Sequence, residues 1–305
     1  MYFPFVRGKQ FELIALRELA PRLPNNIYKP IIEPVRKNLL PLLKTIKKIN
    51  EYNIEPIIII NPNIGDYAKE KDNVNINDLL KVQGEDLKFL PCVKIHDENE
   101  NYKTIIDTLP ERHAVFVAEL VDKKNMEYLF GAEYAIIPKR TIDEILTRLK
   151  KNVVLIDDPF QKKNRNADYK DKSHFSDIHI SFNQRPNVIG FSDYTIVGSD
   201  YSEAGGPAYV VTIHLSYIED EYNQMFIRHF SSQESNSPAN PGGKFKEAIH
   251  KCVTYINANP TVFDDTLGLD ELLYLYEKGH FPGLGQVKKI SLEHHIETLC
   301  NFLNS

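Results

Sequence analysis

The sequence predicts an α/β fold, a (β/α)8 TIM-barrel-like domain with a late hairpin and loop insertion, and three observations carry the prediction. Short continuous apolar runs recur at even spacing, segments of helical periodicity lie between them, and polar residues stand at the ends of nearly all the runs. Apolar runs without strict alternation suit parallel strands covered on both faces, with helices as the crossovers. At 305 residues with 42% hydrophobic content, the chain is long enough for such a core.

In chain order the runs are "YKPIIEPV", "IEPIIIINP", "LKFLPCVKIH", "HAVFVAELV", "AEYAIIPKR", "NVVLIDDPF" and "PNVIGFSDYTIVG". An eighth strand is expected from "YVVTIHLSYI" or "QMFIRHFSS". Between the runs, "LLPLLKTIKKINEYN" and "TIDEILTRLKK" repeat leucine and isoleucine every three or four residues, the spacing of one helical face. A doubly wound open sheet is the alternative. It lacks support because no GxGxxG or GxxxxGK[ST] follows the first run, so the phosphate-cradling loop of those folds is missing.

The last third breaks the cadence. "YVVTIHLSYIEDEYNQMFIRHFSS" reads as two strands about an acidic turn, and "SSQESNSPANPGG" reads as loop. "KFKEAIHKCVTYI" then places Phe245, Ile249, Val253 and Ile256 on one helical face. The organisation expected is a single barrel-like domain over residues 1–305, with 201–243 as a hairpin and loop addition and the 233–243 loop as a lid candidate.

Composition narrows the function classes. A formal charge of −5 argues against direct nucleic acid binding, since no global basic field exists. Cys92, Cys252 and Cys300 have no CxxC spacing, which argues for a reducing, cytoplasmic setting and against a cysteine zinc site. "IEPIIIINP" is far shorter than a membrane span, so no membrane role is expected.

In a barrel of parallel strands, the C-terminal strand ends share one mouth, and that rule ranks the candidates. Glu33, Glu119 and Asp157 are the catalytic candidates, with Asn61, Lys94, Lys139 and His229 for ligand binding. Two carboxylates facing one cleft serve acid and base roles in glycoside hydrolysis. Lysines there neutralise a phosphate. Each of these residue types also serves as a structural ion pair. In "LIDDP", Asp157 continues the parity of Val153 and Leu155, and Asp158 that of Val154 and Ile156; Asp157 is preferred for the mouth because Asp158 directly precedes Pro159.

No HExxH or first-strand HxH is present, so no metal is assigned and the cofactor is left open. His179 and His214 read as lone strand histidines, and His294 and His295 as adjacent residues that diverge on a helix. Gly205 and Gly206 in "DYSEAGGPAYV" are an anion-nest candidate, though paired glycines more often turn a chain.

The segments "MYFPFVRGKQFELIALREL", "YKPIIEPV" and "GFSDYTIVG" together resemble the bacterial sce7725-like family, within the broader group named after a phage beta protein. The resemblance implies a barrel-like bacterial protein, an antiviral defence or mobile-element setting and a nuclease-like protein partner. It makes Arg7, Lys9, Glu12, Arg17, Glu18 and Glu33 worth testing, while "RGKQFELIALREL" also reads as an amphipathic entry helix. Two functions follow as expectations: a hydrolase acting on a phosphorylated or sugar-containing ligand at the barrel mouth, or a noncatalytic partner or sensor in an anti-phage defence module.

Overall fold

The computed structural model describes residues 1–69, 74–83, 86–96, 102–203 and 208–305. The anion-nest candidate at Gly205 and Gly206 lies outside the described residues. Eleven strands occur among the described residues: β1 (Phe5–Val6), β2 (Ile31–Ile32), β3 (Ile57–Ile59), β4 (Leu90–Ile95), β5 (Ala114–Val117), β6 (Tyr134–Pro138), β7 (Val153–Asp157), β8 (Lys172–Ser176), β9 (Val188–Asp193), β10 (Thr212–Ile218) and β11 (Met225–Ser231). The chain divides into two compact units, Met1–Asp158 with Ser181–Tyr194, and Pro159–Ile180 with Thr195–Ser305. The hairpin expected as an addition to a single domain over 1–305 lies in the second, smaller unit.

The first unit is an eight-stranded parallel barrel in the order β1-β2-β3-β4-β5-β6-β7-β9. Its seven long runs are the ones expected, but the eighth strand is β1, not a late run. Tyr2 bridges both Tyr28 and Phe191 in parallel. The seam is joined by Phe3 N–H donating to Phe191 O at 2.9 Å and Phe191 N–H donating to Met1 O at 3.1 Å. Gly190 permits that approach, because a Cβ there would lie 2.5 Å from the Phe3 ring and 2.6 Å from Met1 O.

Alternate residues fill the barrel. Phe5, Ile31, Ile57 and Ile59, Leu90 and Cys92, Ala114 and Phe116, Ile136, and Val154 and Ile156 form one buried cluster. Full burial of such side chains contributes roughly 1.5–3 kcal/mol each. Six helices lie in this unit among the described residues: α1 (Gln10–Leu19), α2 (Leu40–Asn50), α3 (Asn77–Gln83), α4 (Tyr102–Asp107), α5 (Lys123–Gly131) and α6 (Asp143–Leu146). The entry segment is indeed helical, and α1 is tied to α2 by Arg17 Nη1 donating to Thr45 Oγ1 at 2.9 Å.

Short α7 (Ile178–Ser181) is followed by the long helices of the second unit, α8 (Pro241–Ala258), α9 (Leu267–Lys278) and α10 (Leu284–Asn304). This unit holds an antiparallel sheet in the order β10-β11-β8. The hairpin is as expected, with Thr212 opposite Ser231 and Ile218 opposite Met225. Ile213, Leu215 and Phe230 pack with Phe245, Ile249 and Val253 of α8, Leu272 of α9 and Ile290 of α10. "PGG", expected as loop, is the first turn of α8 instead: Pro241 stands at the helix start, where its missing N–H costs nothing, and Asn240 Oδ1 accepts from Gly243 N–H at 3.0 Å. At Gly268 a Cβ would lie 2.3 Å from Ile290 O, so only glycine allows α9 to approach α10 this closely. No helix among the described residues is long and apolar enough to cross a membrane.

Candidate functional site at the barrel mouth

The strand pattern that fills the barrel also aims its polar end. Arg7 continues the parity of Phe5, Glu33 that of Ile31, Lys94 that of Leu90 and Cys92, and Asp158 that of Val154 and Ile156. All four follow or end their strands on the C-terminal side, where a parallel barrel gathers residues distant in sequence.

Glu33 is fully buried and is the centre of the group. Its Oε2 accepts from Arg7 Nη1, and its Oε1 accepts from Lys94 Nζ at 2.8 Å. Lys94 Nζ also donates to Asn63 Oδ1 at 3.1 Å. The Arg7 guanidinium lies 5.1 Å from the centre of the Phe5 ring and 5.3 Å from that of Tyr194, so aromatic faces shelter the cation. Burial pushes the Tyr194 phenol up, opposed by Arg7 and reinforced by the charges of Glu33 and Asp158, which keeps its hydroxyl protonated at neutral pH. Burial likewise pushes the Cys92 thiol up, and the nearby Glu33 charge adds to it, so Cys92 is packing and not a thiolate nucleophile.

The loop that carries Arg7 is fixed from below. Glu12 Oε2 accepts from Arg7 N–H at 2.7 Å and Lys9 N–H at 3.4 Å, tying the start of α1 to the strand that precedes it. Of the residues singled out by resemblance, Glu12 and Arg17 therefore hold local structure, while Arg7 and Glu33 meet at the mouth.

Asn61 spans the β3–β4 edge, donating from Nδ2 to Lys94 O at 2.8 Å and accepting at Oδ1 from Lys94 N–H at 2.8 Å. It therefore sets the backbone of Lys94. Lys139 Nζ and Asp157 Oδ2 form a separate, partly exposed pair at 3.3 Å, and Asp157 Oδ1 accepts from Asp158 N–H at 2.9 Å. Val154 and Ile156 fill the barrel and Asp158 follows them in parity just beyond β7, while Asp157, the member preferred from the sequence, ends the strand in its pair with Lys139. Glu119 is exposed, with its backbone oxygen accepting from Arg140 Nη2 at 3.0 Å, and among the described residues no ion pair joins it to either group.

His229 lies elsewhere. It is on β11, which pairs with β10 and β8 in the second unit and is no barrel strand, so the strand-end argument does not reach it. His179, expected on a strand, is a buried residue of α7 with its Nε2 2.7 Å from Asn223 O. Sequence reasoning missed Tyr194 and Asn63, and Arg7 stood only among the residues that the resemblance made worth testing, in a segment that also read as an amphipathic entry helix. Recognising "PFV" as a strand would have placed Arg7 at a strand end like the others, but two residues carry no periodicity. No protein-family model and no curated protein matches this chain.

Proposed function

We propose that the barrel mouth binds a small phosphorylated ligand and hydrolyses it. The observation that carries the reading is the convergence of two cations, Arg7 and Lys94, on the buried Glu33 carboxylate at the mouth. Arg7 and Lys94 keep 10% and 12% of their side-chain surface accessible, while Glu33 has none. An anion approaching them meets donors already oriented by Glu33 and desolvated by the aromatic wall, so little reorganisation is needed. In this reading Glu33 is a positioning residue, since both of its oxygens are engaged by cations. The protonated Tyr194 hydroxyl is a further donor, and the exposed Asp158 is the carboxylate that would take a proton from attacking water. A phosphate fits these groups better than a neutral sugar, because the acid–base pair that glycoside chemistry requires is not assembled from Glu33 and Glu119.

Calorimetric titration with pyrophosphate and a sugar phosphate, together with an assay of phosphate release, tests the reading. Lys94→Gln is expected to weaken binding by about tenfold or more, since tenfold corresponds to about 1.4 kcal/mol. Asp158→Asn is expected to keep binding and lose turnover. Binding without turnover in the unaltered chain would favour the noncatalytic sensor. Absence of binding, or equal binding by Lys94→Gln, would remove the proposal.

A further inference from the structure

In the second unit one serine and two histidines contact one another in succession. Ser173 Oγ lies 2.9 Å from His229 Nε2, and His229 Nδ1 lies 2.7 Å from His214 Nδ1. Three strands supply them. His214 on β10 stands directly opposite His229 on β11. Ser173 on β8 stands opposite Ile227, and His229 N–H donates to Asp171 O at 2.9 Å, so Ser173 and His229 are diagonal neighbours on one face of the sheet. Tyr169 stacks on His229 at 4.7 Å between centroids, and Phe160 meets His214 edge-on at 5.5 Å. His229 is buried and Ser173 half-buried, so the histidine is the more sheltered of the two.

We propose that Ser173, His229 and His214 form a serine–histidine–histidine acyl-transfer site that hydrolyses small carboxylic esters. The order of contacts is that of a nucleophile–base–orienter triad: the hydroxyl meets one ring nitrogen of the base, and the orienting group meets the other. In the productive tautomer His229 donates its Nδ1–H to His214 Nδ1, leaving Nε2 free to accept the Ser173 proton. Burial, with Lys163 nearby, keeps His229 uncharged at neutral pH, as a proton acceptor must be.

Ser173 Oγ bonds to the ester carbonyl carbon as its proton passes to His229 Nε2. The tetrahedral intermediate then expels the alkoxide, which takes that proton and leaves as alcohol, with Ser173 acylated. Water next attacks the acyl carbon and gives a proton to His229. Collapse releases the carboxylic acid, and Ser173 oxygen regains the proton. The sum is ester plus water to acid plus alcohol, with no other reactant. His214 touches no substrate in this scheme and is a positioning residue. Tyr169 and Phe160 form the apolar wall beside the triad, which favours a short apolar acyl group.

The test uses the full chain with p-nitrophenyl acetate and a fluorophosphonate probe. A burst of nitrophenol is expected, together with one label per chain on the peptide containing Ser173. Ser173→Ala abolishes both, and His229→Ala slows labelling by about 100-fold or more, the usual range for a general base. Circular dichroism confirms that each variant is folded. His214→Asp, which supplies a carboxylate as orienter, is expected to retain labelling and move the acid limb of its pH profile upward. A merely structural histidine ladder would not produce that shift. For a variant that fails to fold, Ser173→Cys gives a second measurement, with iodoacetamide alkylation at pH 6 faster than that of a free thiol. No label on Ser173, or labelling equally fast in folded His229→Ala, overturns the proposal.

Discussion

The barrel mouth and the histidine-bearing sheet both bury polar side chains, but they compensate the burial in opposite ways. At the mouth, Glu33 stays in the interior by pairing with Arg7 and Lys94. In the second unit, burial holds His294 and His214 uncharged: His294 is pushed down to about 4, with His295 contributing, and His214 to about 3, with His229 contributing. The bonding of His294 shows how this works. Its Nε2–H donates to Ser216 O at 2.7 Å, so its Nδ1, 2.7 Å from Thr266 Oγ1, accepts from the Thr266 hydroxyl. Thr266 Oγ1 in turn accepts from Leu269 N–H at 3.2 Å. A neutral ring satisfies every partner, whereas a second proton would turn the threonine's acceptor into a donor. Paired charge is vulnerable to loss of a partner, and enforced neutrality is vulnerable to acid.

The largest expected effect breaks the paired side. Glu33→Ala leaves Arg7 and Lys94 without their shared carboxylate, and removal of one partner from a buried ionic group costs about 3–5 kcal/mol. Urea unfolding followed by circular dichroism measures it, and a loss below 1 kcal/mol would show that water already screens the site. The next effect concerns the neutral side. The unfolded chain binds a proton at each histidine as pH falls past the usual 6.5, while folded His294 binds one only near 4. Stability from this residue is therefore complete above pH 6.5 and lost as the pH drops to about 4, a contribution on the order of 3 kcal/mol. His214 and His229 act in the same direction. An NMR titration with a His294 midpoint near 6.5 would contradict this account. The smallest effect supplies the control for both: Arg148→Ala removes an exposed pair with Glu144, four residues apart on the surface, and should change stability by about 0.5 kcal/mol or less in the same urea assay.

Much of the barrel was legible because "NVVLIDDPF" and its counterparts are continuous apolar runs of strand length, a pattern that few other architectures need. The seam was not legible. Phe5–Val6 is too short to show a period, while "YVVTIHLSYI" and "QMFIRHFSS" look like strands because they are strands, in another sheet. Sequence measures the tendency to pair and not the partner. The same limit hid the grouping of Ser173 with His229 and His214: His229 was picked as a barrel strand end and His214 as a lone strand histidine, and only the β10-β11-β8 order brings the three together. Glu33 and Lys94 were recoverable from the strand-end rule, but the choice between Asp157 and Asp158 was not. Both faces of β7 are apolar, so only the identity of the residues inside the barrel could settle it.

The seam of the barrel also sets an order of events during synthesis. The segment around Tyr2 is made long before its partner strand: Tyr2 pairs with Phe191, and Tyr2 OH donates to Asp193 Oδ1 at 2.8 Å across 191 positions of sequence. Until that distant strand emerges, the nascent barrel is an open sheet with both edges unpaired, the state in which parallel proteins are slow to fold and prone to stick. Nascent chains arrested before and after β9 clears the exit tunnel are expected to differ sharply in protease resistance. Equal resistance would mean that the seam closes on something else first.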